Sequence, residues 1–179
     1  MKATLLALTA VTSVLITEPA LSQSAGERTG VNSVLGVAPK SEDFVTQVAV
    51  SDMFEIESSK LAQQKAASPQ IKTFASQMVG DHGKTTAELK TLVSGGKVKA
   101  PLPAVMDSSH QSKLDKLKGL SGADFDKQYV SDQQAAHKDA VDLFERYAKG
   151  GDNADLKNWA GKTIPALKHH KDMADKLPK

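Results

Sequence analysis

From Ser41 to Leu177 apolar residues recur at alternating spacings of three and four positions, and no segment alternates apolar with polar residues as a strand would. Capping and breaking residues cut this helical pattern into four long stretches. Ser41 opens the first as a predicted N-cap, with Glu42 and Asp43 in the first turn where the helix dipole favours acids, and the stretch runs to about Ala67. Ser68-Pro69 restarts the chain, serine capping and proline sitting where its missing N–H costs nothing, and the second helix continues to about Val93. Gly95-Gly96, Pro101 and Pro103 break the pattern, and a short helix over about Ser108–Leu117 lies inside this connection. Ser121 caps the third helix, with Asp124 completing a partial capping box, and Gly150-Gly151 ends it. Asp152 is the predicted cap of the fourth, which runs to about Leu177 and is expected to kink at Pro165. Each long helix spans roughly 37 Å at the helical rise. Two short turns flanking a long second-to-third connection predict an all-α, ferritin-like four-helix bundle, with a short extra helix in the long connection.

Two further segments precede this domain of residues 41–179. Residues 23–40 carry Gly26, Gly30, Gly36 and Pro39 among small polar residues and read as a flexible N-terminal arm. Residues 1–22 read as a signal peptide: Lys2 is the positive start, Ala3–Ile16 is an uncharged and mostly apolar run, and Glu18-Pro19 and Ala20-Leu21-Ser22 form a cleavage boundary. The apolar run is shorter than the ~20 residues of a membrane-spanning helix, so cleavage near Ser22/Gln23 is expected. The mature chain then has no transmembrane segment and is periplasmic or secreted.

Composition narrows the chemistry. Cysteine is absent, which excludes disulfides, thiolate metal sites and cysteine catalysis. The 23 basic and 21 acidic residues nearly cancel to a net charge of +2, and aromatic residues make up only 4% of the chain. Nucleic acid is therefore not an expected partner, since neither a basic stripe nor a stacking platform is present.

The inward faces carry the informative residues. The second helix turns Ala75, Met78, His82, Thr85 and Leu89 inward, the third Gln133, His137, Ala140 and Phe144, and the fourth Thr163, Leu167, His170 and Ala174. On the first helix Phe44, Val48, Ser51, Glu55 and Ala62 share a face, whereas Glu57 points nearly opposite. Glu55, His82 and His137 lie near the midpoints of their helices, while His170 lies past the middle of its own by roughly 7 Å at the helical rise. One carboxylate and three imidazoles on four inward faces suit a divalent metal: Glu55, His82, His137 and His170 are the candidate ligands, for zinc first, with copper and nickel as alternatives. Taken singly, each histidine also reads as a core residue hydrogen-bonded by Gln133 or Thr85, and Glu55 as half of a buried ion pair. Asp81, turned about a third of the way round from His82, reads as a surface acid or an outer partner of the site. His110 and His169 fall off the seams and read as exposed.

Several separated segments resemble one family. They are TGVNSVLGVAP at 29–39, FEIE at 54–57 with KLA at 60–62, MVGDH at 78–82, GADFDKQYV at 122–130 with His137, and PALKHH at 165–170. Together they resemble bacterial exported proteins with a ferritin-like domain of unknown function, often labelled predicted outer membrane proteins. The resemblance implies a ferritin-like four-helix fold, an envelope location that includes association with the outer membrane, and His170 rather than His169 as the fourth-helix histidine. It implies no activity. Ferritin-type di-iron chemistry needs Glu-x-x-His pairs, but Val79, Gln134 and Leu167 stand three residues before His82, His137 and His170.

Three function classes follow. The first is a non-enzymatic bundle binding a divalent metal in its core. The second is an envelope interaction or stress-protection module, with an envelope protein or a second copy as partner, in which the polar layer is structural. The third, a metal-dependent hydrolase or oxidase, requires an open coordination position and a pocket reaching solvent.

Overall fold

The structure, a computed structural model, describes residues 23–178; the signal peptide read over 1–22 lies outside the described residues. All described elements are helices: α1 (Ala25–Arg28), α2 (Val31–Val34), α3 (Ser41–Lys65), α4 (Pro69–Ser94), α5 (Ser108–Gly119), α6 (Gly122–Gly150) and α7 (Ala154–Asp175). The long helices α3, α4, α6 and α7 form the bundle that the periodicity predicts, and α5 is the short helix of the connection.

Caps explain the boundaries and correct two of them. The Ser68 side chain accepts from the Ile71 N–H, with Pro69 opening α4. Asp107 does the same for α5 through the N–H of His110. Asn153, not Asp152, caps α7 by accepting from Leu156 N–H, and Lys40 holds the cap position of α3 without a side-chain bond. Asp152 and Ser41 are used on each other instead: the Ser41 N–H and hydroxyl both donate to Asp152 Oδ1, at 3.0 and 2.6 Å, fastening the start of α3 to the α6–α7 turn. That turn needs a glycine, because a Cβ on Gly151 would lie 2.6 Å from the Tyr147 ring. Pro165 lies on the exposed side of α7, and the helix continues through it.

The contacts give the helix directions. Ser41 meets Tyr147 and Ser59 meets Tyr129, so α3 and α6 run antiparallel. Asp52 meets His82 while Gln63 meets Ser76, so α3 and α4 are antiparallel as well. Trp159 reaches Glu88 and His170 reaches Asp81, which sets α7 against α4. Thus α4 and α6 point the same way, and the segment joining them must travel the length of the bundle, carrying α5 along α3.

Two apolar clusters fill the interior. One contains Phe54, Phe74, Met78, Leu117, Phe125 and Tyr129, and the other Phe44, Val48, Leu89, Phe144, Tyr147 and Leu156. Residues 23–40, with their two single-turn helices, lie against the bundle through Glu27–Arg146, Ser33–Asp142 and the bond from Ser24 N–H to Asp43. Among the described residues no helix is long and apolar enough to cross a membrane.

Candidate metal centre

Each helix of the bundle delivers a buried polar side chain between the two apolar clusters. His82 on α4, His137 on α6 and His170 on α7 are only 4%, 1% and 4% exposed. Their ring centroids lie 5.5–5.7 Å apart in all three pairings. One ring nitrogen of each lies within 4.8 Å of those of the other two.

Hydrogen bonds on the far sides of the rings set the tautomers. His82 Nδ1–H donates to Asp52 Oδ1 at 2.8 Å, and Asp52 is itself held by the Thr86 hydroxyl at 3.0 Å. His137 Nδ1–H donates to the Gln133 carbonyl at 2.9 Å, one turn back on α6. His170 Nε2–H donates to Asp81 Oδ2 at 3.1 Å. The remaining nitrogens, His82 Nε2, His137 Nε2 and His170 Nδ1, are buried and have no hydrogen-bond partner. A neutral imidazole that gives its one N–H outward keeps a lone pair on the other nitrogen, so each orphaned atom is an acceptor whenever its ring is neutral. Metal-ligating histidines have this outer arrangement, the second N–H resting on a carboxylate or a carbonyl. Around one ion with bonds of ~2 Å the nitrogens would stand roughly 3.4 Å apart, a contraction that small ring movements supply.

Glu55 is the fourth candidate, and the structure places it differently. Its side chain is buried at 1% exposure, and neither carboxylate oxygen meets hydrogen-bond geometry, although the Gln133 side-chain amide favours its charge from nearby. It stands outside the three-histidine group, within electrostatic reach of His82 and His170. Burial raises its pKa above the ordinary carboxylate value, with His82 the strongest opposing influence. Burial also works against a charge on His82, but the Asp52 bond and the Glu55 carboxylate outweigh it, and the His82 pKa is raised. The other two behave oppositely. Burial, followed by the charge of His82, lowers both His137 and His170 to about 4. Two imidazoles of the three are thus held neutral, the form that binds metal.

The sequence pattern missed Asp52. It is 3% exposed and lies four residues after Val48 and three before Glu55, so the same helical spacing reaches it; reading the face through Ser51 hid it. Asp81 is the outer partner of His170, one of the two roles its position allowed. Glu57 is exposed and pairs with Lys60, and His169 is exposed. His110, expected to be exposed, is half-buried: its ring packs edge-on against Phe54 at 5.6 Å and its Nδ1–H donates to Asp107 at 2.8 Å.

A cleft of about 540 Å³ runs from the docked arm and α5 into the bundle, reaching Asp52, His82 and Thr85. The cleft thus meets the histidine layer at His82, while His137 and His170 do not line it.

The chain belongs to the family described as "Domain of unknown function (DUF4142)", which matches residues 26–177. Among solved structures it is similar to "CopM in the Cu(II)-bound form", with a TM-score of 0.64, 18% identity and coverage of 78% of this chain and 96% of that one. "CopM in the Cu(I)-bound form" gives a TM-score of 0.62 at 19% identity, covering 76% of this chain and 94% of that chain. "CopM in the Ag-bound form (by co-crystallization)" gives 0.60 at 20%, covering 76% and 93%. At these identities the likeness shows a shared fold. No curated protein matches the sequence.

Proposed function

We propose that this member of the DUF4142 family is an exported, ferritin-like bundle that binds one transition-metal ion in its core through His82, His137 and His170, with Glu55 as the adjoining carboxylate. One observation carries the reading: three imidazoles, each with its outer N–H committed, bring unpartnered buried nitrogens together in one layer. An unsatisfied buried polar atom costs about 1–3 kcal/mol, and an ion answers all three at once. The adjoining carboxylate offsets part of the ion's charge in a poorly solvated interior.

Residue types alone favoured zinc; copper is placed ahead of it here. Divalent copper stands above zinc in affinity for nitrogen sites. The solved structures sharing this fold are copper- and silver-bound forms of CopM. The leader read over 1–22 places this binding outside the cytoplasm, in the periplasm or beyond.

The test is metal content. Tag-free protein loaded with Cu(II) and separated from excess should hold one equivalent, and His82→Ala and His137→Ala should hold almost none. Wild type below about a tenth of an equivalent, with zinc and nickel equally absent after loading, ends the reading.

A second reading keeps the layer as a structural polar core inside an envelope interaction module. It draws on Val31, Val34, Leu35 and Val37, which are 49%, 87%, 68% and 46% exposed on one short segment. It expects melting temperatures that metal does not change and a partner, either an envelope protein or a second copy, lost on Val34→Ser with Leu35→Ser.

A further inference from the structure

We infer that His110 is an outer copper ligand at the cleft, an entry position that takes the ion from solution and passes it to the core histidines; this rests on the metal reading above. The cleft of about 540 Å³ is lined by His110 and Asp107 on the α5 side and by Asp52 and His82 within. One continuous space therefore joins the connecting segment to the nearest core imidazole.

His110 is built as the core ligands are. A carboxylate accepts its Nδ1–H at 2.8 Å, as Asp52 does for His82, while Asp81 accepts the Nε2–H of His170. That bond leaves the Nε2 lone pair available for a ligand. Phe54 fixes the ring edge-on at 5.6 Å, and Asp107 is itself anchored as the cap of α5, so the pair is positioned by the helix start. Unlike the core histidines, the side chain keeps 27% exposure, which lets it meet a hydrated ion. Glu55 does not line the cleft but lies within electrostatic reach of both levels. Its oxygens are unpartnered, and it feels His82, His170 and His110 electrostatically. The transfer exchanges ligands only: water leaves the ion as imidazole nitrogens replace it, and no electrons move.

A residue on a path changes rates in both directions and leaves the equilibrium untouched. Cu(II) uptake and its removal by EDTA would be followed by stopped-flow absorption on wild type, His110→Gln and, as a control away from the cleft, His169→Gln. Both rates should fall about tenfold in His110→Gln, the scale on which lost ligand support acts. Stoichiometry and the dissociation constant should stay within about threefold of wild type by chelator competition, well under that tenfold scale. Asp107→Asn keeps a good helix cap while weakening the hold on Nδ1, so it tests the same idea without disturbing α5, and it should slow both rates to a smaller degree. Unchanged rates in both variants overturn the inference. So does a loss of affinity matching the slowed uptake, which would make His110 part of the core site. A wild type that takes up no copper removes the metal reading itself, which the rate comparison distinguishes from failure of the entry position alone.

Discussion

Where the arm meets α6, Arg146 and Glu27 are buried to 8% and 3% exposure and every charge is answered. Arg146 donates to Asp142, Glu27 and the Val37 carbonyl, while Glu27 also accepts from Asn32 and Gln47. In the histidine layer the outer faces are equally well bonded, yet the inner faces present three nitrogens and two carboxylate oxygens with no partner. Both clusters bear the cost of burying polar groups. The first recovers it within the chain and so fastens a segment that has no apolar core of its own. The second recovers it only when something fills the centre. A polar cluster that closes on itself reads as structural, and one whose lone pairs converge reads as a receptor.

The most disruptive way to break this contrast is Arg146→Leu. It leaves Glu27 buried without its cation, and removing one partner of such a pair costs about 3–5 kcal/mol. The melting temperature should drop on the order of 10 °C for a domain of this size, as calorimetry would show. Copper stoichiometry should hold. If it vanished with the arm contact, the two clusters would not be independent.

Acid should act on the open cluster next. His137 and His170 titrate at about 4 in the folded protein against an ordinary value of 6.5. Between those values the unfolded chain binds protons that the native state does not. The stability from these two neutral imidazoles is complete above pH 6.5, is lost as pH falls toward 4, and changes no further below that. Their lowered pKa values set the sign and the window of this loss, and because the two rings share the influence of His82 the loss belongs to the pair. Urea denaturation of the metal-free protein across that window, set against His137→Leu with His170→Leu, should isolate it. Imidazole midpoints near 6.5 by NMR would contradict it.

The smallest expected effect sharpens the contrast most. Asp52→Asn replaces the charged acceptor behind His82 with a neutral amide, touching the outer face while leaving the open nitrogens in place. Such second partners carry about 10–100-fold in metal affinity. Chelator competition should find a loss in that range with stoichiometry kept at one, and an unchanged affinity would separate Asp52 from the centre.

The local readings succeeded where the physics is local. Ser68-Pro69 opens α4 and Gly151 closes the α6 end because capping and close backbone approach depend on adjacent residues. The inward seams of α4, α6 and α7 were legible because helical spacing fixes which side chains share a face, and His82, His137 and His170 are all buried there. Asp152 and Ser41 were misread as caps because each found a better partner across the bundle.

Depth was beyond the sequence. Measured from its own helix midpoint, His170 stood roughly a turn and a half away from the layer at the helical rise. It meets the others because packing against α6 sets the height of α7, with Gln134 donating to the Ala174 carbonyl. The same tertiary register gave the histidine layer its outer partners Asp52 and Asp81, and set Glu55 beside the three imidazoles instead of among them. The sequence by itself determined the helices, their inward faces and the ligand-type residues on them, because those follow from spacing along one chain. Only the packed bundle decided which of those residues converge and which nitrogens remain free, because axial register and hydrogen-bond partners are properties of helices in contact.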